Sequence, residues 1–133
     1  MEKRTKDNPW KLKTPPGTSS FEMYMDEKDG LDIIVCVVGK TILHYDARII
    51  DDLHKMLKEN GDWMLMGSKD EKAETKEGTL EHWARSSENP IKGWYGLKKN
   101  FRGRVGMYIP PLMEELGLAE IEHNARNNKI RAK

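Results

Sequence analysis

Residues 21–45 contain three short apolar segments separated by two tight turns, and this pattern constrains the fold more than any other part of the chain. The segment "FEMYM", which begins at Phe21, alternates with the two-residue period of a strand that has one buried face. The segments "LDIIVCVVG" and "TILHY" follow, after turns at Asp29-Gly30 and Gly39-Lys40. Strands joined by such short turns must run antiparallel, so we predict an N-terminal antiparallel β-meander.

A central amphipathic helix is predicted from Asp46 to Asn60. Its apolar residues repeat at helical spacing and form one stripe, which consists of Ile49, Ile50, Leu53, Met56 and Leu57. Asp46 is a favourable residue for the amino-terminal cap, and Gly61 can close the helix in a left-handed conformation.

Shorter elements are predicted after this helix. Thr79 can cap a short helix that runs to about Ser86, and residues 69–78 are charged and apolar-poor, which is typical of a mobile loop. Pro110 and Pro111 suit the first turn of a further helix, which Gly117 would close. The final segments "LAEIEH" and "KIRAK" flank an asparagine-rich turn and predict a C-terminal β-hairpin.

These elements predict an α+β fold with a β-meander, a central amphipathic helix, short helices and a C-terminal hairpin. Prolines and small residues interrupt residues 1–20, so we expect an irregular N-terminal arm in which Trp10 and Leu12 dock on the body. Residues 21–133 then form a single α+β domain, since the chain of 133 residues is of ordinary domain size.

The chain shows features of a cytoplasmic protein. Its longest unbroken apolar run, from Ile33 to Val38, is too short to cross a membrane, and the charged N-terminus does not resemble a signal peptide. Cys36 is the only cysteine, which excludes an intrachain disulfide, and its apolar neighbours favour a buried thiol. We therefore expect a cytoplasmic protein with no membrane partner.

No motif for a metal, a cofactor or a reaction is evident. The four histidines are scattered without metal-ligand spacing, and "GKT" at residues 39–41 lacks the glycine spacing and helix of a phosphate-binding loop. Paired acids such as Asp51-Asp52 fall on a predicted solvated helix face. We therefore predict neither cofactor nor metal and favour a non-catalytic protein over an enzyme.

The charge is distributed unevenly along the chain. Residues 1–13 carry net +3, residues 14–88 carry net −7 and residues 89–133 carry net +5. A chain of this kind can present a basic face to a polyanion, although the segments can also neutralise one another.

The segment "KGWYGLKKNFRGR", residues 92–104, is the first candidate for such a face. Aromatic rings that stack on bases and cations that neutralise phosphates are the two components of nucleic-acid contact. The cations predicted to bind phosphate here are Lys98, Lys99, Arg102 and Arg104.

The C-terminal residues "LMEELGLAEIEHNARNNKIRAK" are the second candidate. They resemble the ending of a winged-helix DNA-binding domain, in which a helix, a strand, a polar turn and a basic strand follow one another. The resemblance implies a wing at residues 124–128 that contacts DNA, with Arg126, Lys129 and Arg131 as its cations. The leading hypothesis is therefore a nucleic-acid-binding or regulatory protein of winged-helix-like type, with DNA or RNA as partner.

Over nearly the whole chain there is a broader resemblance. The segments "NPWKLKTPPGTS", "GKTILHYDAR", "GWYGLKKN" and "GMYIPPLMEELGLAEIEHNARNN" are similar to a group of small uncharacterised prokaryotic proteins. This resemblance implies a cytoplasmic single domain and no assigned catalysis.

Two alternatives remain open. One is a protein-interaction module that uses a surface rich in tryptophan and methionine. The other is an enzyme or small-molecule-binding protein with a pocket built from aromatic rings, namely Trp63, Trp83, Trp94 and Tyr95. The placement of residues 92–104 relative to residues 124–133 in the folded chain bears directly on the choice.

Overall fold

The computed structural model of the chain describes residues 3–133 and has an α+β fold, as the sequence predicts. The first sheet contains β1 (Trp10–Lys13), β2 (Ser20–Lys28), β3 (Leu31–Val38) and β4 (Thr41–Asp46), all antiparallel and in chain order. The predicted meander is therefore confirmed, with one additional strand at its amino-terminal edge.

That additional strand corrects the expected irregular arm at residues 1–20. Trp10 pairs with Met23 and Leu12 pairs with Phe21, so the segment adds to the sheet rather than crossing it as a loop. Trp10 and Leu12 are buried while the intervening lysine is exposed, which is the alternation of a strand with one buried face. The two residues do dock on the body, as expected, whereas residues 1–2 of the arm lie outside the described residues.

After the first sheet come α1 (Ile49–Asn60), β5 (Met64–Leu65), α2 (Leu80–Trp83), α3 (Val105–Glu115), β6 (Ala119–Ile121) and β7 (Lys129–Ala132). The predicted hairpin is formed by β6 and β7, and β5 pairs with the other side of β7 to complete a second sheet in the order β5-β7-β6. One hydrophobic core joins both sheets, because α3 contacts β1 and β6 while α1 contacts β7.

The central helix begins three residues later than predicted. Asp46 remains in β4, where its amide donates to the carbonyl of Tyr95 at 2.8 Å, so its backbone stays extended. The Asp46 carboxylate instead accepts from the amide and the guanidinium of Arg48, which precedes the helix. At the other end, the predicted left-handed cap at Gly61 is confirmed by its φ of 70°.

Helix α3 begins five residues before the predicted proline start. Glycine is a weak helix former, but the role of Gly106 is steric, because a Cβ atom there would lie 2.7 Å from the carbonyl oxygen of Met66. Pro110 and Pro111 consequently lie inside the helix rather than in its first turn. The predicted closure of the helix by Gly117 is confirmed, with φ 73° at that residue.

The short helix capped by Thr79 is also confirmed, since the hydroxyl of Thr79 accepts from the amide of His82. This helix ends at Trp83 and continues as turns to Ser86. None of the helices in the described part of the chain has the length and hydrophobicity needed to cross a lipid bilayer.

Residues 69–78, which the sequence predicts to form a mobile loop, are held in their first half by polar contacts. The guanidinium of Arg85 donates to the carbonyl oxygens of Lys69 at 2.6 Å, Asp70 at 2.7 Å and Ala73 at 3.0 Å. The amide of Arg104 also donates to the carbonyl of Lys69, at 2.7 Å. A charged loop is usually solvated along its whole length. Here one arginine binds three of its backbone carbonyls, which a local pattern of charges does not reveal.

Candidate nucleic-acid interface

A cleft of about 480 Å³ lies between the start of α3, the loop after β5 and the turn of the C-terminal hairpin. We name it the hairpin cleft. It is lined by Pro15, Pro16, Leu65, Met66, Gly67, Ser68, Lys69, Lys76, Thr79, Gly106, Met107, Ala125, Arg126, Asn127 and Asn128.

The side chains of the hairpin cleft favour an anion. Three of its residues are cations, Lys69, Lys76 and Arg126, and none of the residues that line it in the described chain is acidic. All three cations are exposed, so they can reach a ligand without losing an internal partner. Long basic side chains around a groove are the usual means of neutralising phosphate.

The hairpin turn that carries Arg126 is held by the side chain of Asn128. Its amide oxygen accepts from the amide of Asn124 at 2.6 Å, and its amide nitrogen donates to the carbonyl of Asn124 at 3.0 Å. The carbonyl of Asn128 also accepts from the amide of Met66. Asn128 is therefore buried, so this residue of the predicted wing faces the protein rather than a partner. Residues 124–127 are exposed.

The amino end of α3 does not supply the positive charge of this cleft. The amide of Gly106 donates to Glu81 Oε1 at 2.9 Å, and Glu81 also pairs with Arg85. Burial raises the pKa of Glu81, while the bonds from Gly106 and Arg85 oppose that shift. Because this carboxylate already binds the helix terminus, the Gly106 amide is not available to an anion in the cleft.

His123 links the turn at Pro15, which lines the cleft, to helix α3. Its Nδ1 lies 2.9 Å from the carbonyl oxygen of Pro15, and its Nε2 lies 2.8 Å from the carboxylate of Glu114 on α3. The bond to Glu114 is the main cause that raises the pKa of His123; desolvation opposes it and the Pro15 carbonyl adds to it.

The first predicted basic segment lies on a different sheet. Residues 95–97 add to the outer edge of β4, where the amide of Leu97 donates to the carbonyl of His44 at 2.9 Å. Lys98 Nζ lies 5.1 Å from the centre of the Phe101 ring, and Lys99 is exposed.

The two arginines of that segment differ in their surroundings. Arg102 lies 3.6 Å from Glu71, which partly neutralises its charge. Arg104 lines a second cleft, of about 440 Å³, together with Lys72 and two acidic residues. The backbone bond from Arg104 to Lys69 lies between this second cleft and the hairpin cleft, so Arg104 is the member of the segment that adjoins the hairpin cleft.

The predicted cations of the C-terminal segment also separate. Arg126 lines the hairpin cleft, and the exposed Lys129 follows the turn. Arg131 instead covers the ring of Trp63 at 4.6 Å and pairs with Glu120 at 3.1 Å. Arg131 is therefore already engaged in contacts within the second sheet.

The four aromatic residues predicted to form a pocket make separate contacts. Trp83 stacks on Tyr95 with ring centres 5.3 Å apart, and Trp94 lies beneath the guanidinium of Arg85. Within residues 3–133, no ring contact joins Trp63 to the other three. Tyr95 is fully buried and donates its hydroxyl to Asp52 at 2.7 Å.

Helix α3 has little exposed surface for a nucleic-acid groove. Eight of its eleven residues are buried: Val105, Gly106, Tyr108, Ile109, Pro110, Pro111, Leu112 and Met113. The resemblance to a winged-helix ending therefore extends only to the order of helix, strand, polar turn and strand.

Sequence reasoning missed two cations of the hairpin cleft, Lys69 and Lys76. Both belong to an acidic loop whose composition concealed them, and only the fold brings that loop to the hairpin. Across residues 3–133, no group of three or more histidine, cysteine or acidic side chains is arranged to hold a metal ion. Cys36 is buried, as predicted, and burial raises the pKa of its thiol.

Comparison with known proteins gives a family without an assigned activity. Neither the curated proteins nor the solved structures contain a significant match to the chain. A family model described as "Family of unknown function (DUF6855)" matches residues 2–133, which is nearly the whole chain. The chain therefore belongs to this family of unknown function.

Proposed function

We propose that this protein is a non-catalytic nucleic-acid-binding protein that holds the phosphate backbone of its partner in the hairpin cleft. The observation that supports the proposal is the lining of that cleft, which combines Lys69, Lys76 and Arg126 without an acidic side chain. Phosphate contacts supply most of the affinity of such complexes and require no base-specific groups.

Arg104 extends the proposed contact at one end of the cleft. Its backbone adjoins Lys69, and its side chain lines the neighbouring cleft with Lys72. Asp70 and Glu71 also line that neighbouring cleft, so its attraction for phosphate is weaker than that of the hairpin cleft. The phosphate-binding residues in this proposal are therefore Lys69, Lys76 and Arg126, with Arg104 secondary.

The test is a salt titration with labelled nucleic acid. DNA and RNA share the phosphate chemistry, so fluorescence anisotropy is measured in parallel with a duplex DNA and a single-stranded RNA. The triple variant Lys69→Ala/Lys76→Ala/Arg126→Ala should bind more weakly at low salt. The slope of log affinity against log salt should become shallower by about 2–3, since each lost phosphate contact removes about one unit.

The matched control removes the same charge elsewhere. Lys11, Lys55 and Lys58 are exposed and do not line the hairpin cleft. The control triple Lys11→Ala/Lys55→Ala/Lys58→Ala should retain nearly the wild-type slope. If both triple variants lost the same affinity, net charge alone would explain the binding and the cleft would not be the site. If neither nucleic acid bound at low salt, the proposal would be refuted.

A further variant tests the sequence-based alternative within the same assay. Lys98→Ala/Lys99→Ala removes two cations in the turn that follows the segment paired with β4, and neither residue lines the hairpin cleft. If the hairpin cleft is the site, this variant should lose little affinity. A loss of affinity larger than that of the cleft triple would indicate that residues 92–104 form the site instead.

One observation favours the alternative of a protein-interaction module. Ile42, Leu97 and Phe101 are the large apolar side chains with the greatest exposure in residues 3–133, at 45%, 38% and 37%. Leu97 lies beside β4, the strand that carries Ile42. Concentration-dependent sedimentation that Leu97→Asp abolishes would support this function, and a monomer at every concentration would argue against self-association through this surface.

A further inference from the structure

His123 lies between two hydrogen-bond acceptors, and only a protonated imidazole can donate to both of them. The carbonyl oxygen of Pro15 can only accept a hydrogen bond, and the ionised carboxylate of Glu114 can only accept as well. A neutral imidazole carries one N–H group and can therefore donate to only one of them. The imidazolium carries two and can donate to both at once.

These two bonds join three separate parts of the fold. Pro15 belongs to a turn that precedes β2, which is closed by bonds from the amide of Thr14 to the carbonyl of Ser19 and from the amide of Gly17 to the carbonyl of Thr14. Glu114 lies near the end of α3, and His123 itself leads from β6 into the hairpin turn. Protonation of one ring therefore affects how firmly the turn, the helix and the hairpin are connected.

The same contact connects two segments that line the hairpin cleft. Pro15 and Pro16 form part of one wall, and residues 125–128 form part of the other. His123 precedes the second wall by two residues and binds the first wall directly. Loss of the bond to Pro15 would leave the first wall without this connection to the hairpin.

The charged groups around His123 favour protonation. On α3 the group that contacts it is Glu114, and the turn before β2 contributes the uncharged Pro15 carbonyl. On the hairpin, the carboxylate of Glu122 accepts from the amide of Lys129, and Arg126 is the cation that lines the cleft. Glu114 is the charged group that raises the pKa of His123.

We propose that His123 is a proton-dependent clasp of the hairpin cleft, and that its protonation connects the two walls and strengthens the binding of phosphate. The inference rests on the proposed function, because it concerns regulation of the same cleft. It predicts that acidification increases affinity for nucleic acid through one residue that does not itself line the cleft.

The experiment measures the affinity for duplex DNA at about pH 5.5 and about pH 8.5, the range over which histidine changes its charge. Ionic strength is held constant. Wild-type affinity should fall about threefold to tenfold between these values, as expected when binding shifts one pKa by up to about one unit. His123→Gln should bind weakly at both values, because glutamine carries no positive charge and both of its donors are on one nitrogen, whereas Pro15 and Glu114 contact two different ring nitrogens.

Two further variants separate the clasp from general effects of pH. Glu114→Gln keeps an oxygen acceptor but removes the charge, so its affinity should decline at lower pH than in the wild type. His54→Gln removes a histidine whose contact is with the carbonyl of Lys133, and it should retain the wild-type response. Circular dichroism establishes that each variant is folded.

The outcomes distinguish this inference from the function on which it rests. If His123→Gln binds DNA with the same ratio of affinities as the wild type, the clasp is refuted and the cleft proposal stands. If no variant and no pH gives binding, both are refuted. In the free protein, the amide resonances of Gly17 and Ser19 should titrate together with the His123 ring, and their failure to do so would also refute the clasp.

Discussion

Glu81 accepts a hydrogen bond from the amide of Gly106 at 2.9 Å, so a carboxylate from α2 caps the first turn of α3 across 25 positions of sequence. The same carboxylate is fully buried and pairs with Arg85, whose side chain is only 8% exposed. Two helices and the loop between β5 and α2 are thereby connected through one ion pair.

Removal of this carboxylate should be costly. Glu81→Ala leaves the guanidinium of Arg85 without its counter-ion and the α3 terminus without its cap. We expect the free energy of unfolding to fall by roughly 3–5 kcal/mol, the usual effect of breaking a buried ion pair. Denaturant titration measures it, and the exposed Glu88→Ala serves as the control, with an expected change within about 0.5 kcal/mol.

Replacement of Arg85 by lysine should loosen the loop at residues 69–78. An ammonium group lacks the planar fork that allows Arg85 to bind three carbonyls and Glu81 together. Loss of about 1.5 kcal/mol of local stability would speed limited proteolysis in this loop roughly tenfold. Lys72→Ala, an exposed change in the same loop, should leave the cleavage rate nearly unchanged.

Gly106→Ala should destabilise the protein even though alanine is the better helix former. The new Cβ atom would lie 2.7 Å from the Met66 carbonyl oxygen, which belongs to a backbone that cannot easily withdraw. We expect a loss of roughly 1–3 kcal/mol, as for other overpacked sites. Gly93→Ala meets no atom within 4 Å and should be close to neutral in the same thermal unfolding measurement.

Two leucines near the end of α3 should respond differently to truncation. Leu112 is completely buried, so Leu112→Ala should lower the free energy of unfolding by roughly 2–5 kcal/mol. Leu116 follows the helix and is only partly buried, so Leu116→Ala should cost clearly less. Equal losses in a denaturant titration would contradict the packing described for α3.

The contribution of His123 to stability should decrease as the pH rises. Its pKa in the folded protein is raised by Glu114, so its stabilisation is complete below the ordinary histidine pKa of about 6.5. It is lost as the pH rises through the folded-state pKa. The side chain is 52% exposed, so the effect should be only about 0.5 kcal/mol. The difference in free energy of unfolding between wild type and His123→Ala should be larger at about pH 5.5 than at about pH 8.5.

The elements that depend on local periodicity could be predicted from the sequence. The strands of residues 21–45, the stripe of α1 and the C-terminal hairpin follow from alternation, helical spacing and turn residues. The strand at Trp10–Lys13 shows the same alternation, but the adjacent prolines favoured an irregular segment. Its assignment required the pairing partner, which lies in β2.

The start of α3 and the candidate site depend on contacts between distant residues. Glycine is a weak helix former, so Gly106 does not mark the first turn of a helix. Only the position of Met66 shows that a glycine is needed there, because the two backbones approach closely. Lys69 and Lys76 belong to an acidic loop, and Arg126 belongs to the hairpin turn. Arg85 and Arg104 bind the backbone of the loop at Lys69, and this relationship between distant residues is in no local pattern.

The two prolines inside α3 have a consequence for the unfolded chain. Their rings fix φ before folding begins, so residues 110 and 111 lose less conformational freedom than other residues when the helix forms. Their missing N–H groups leave the carbonyls of Gly106 and Met107 without helical donors, which weakens the helix if it is taken alone. The helix at the centre of this core is thus favoured by chain entropy and by burial more than by its own hydrogen bonds.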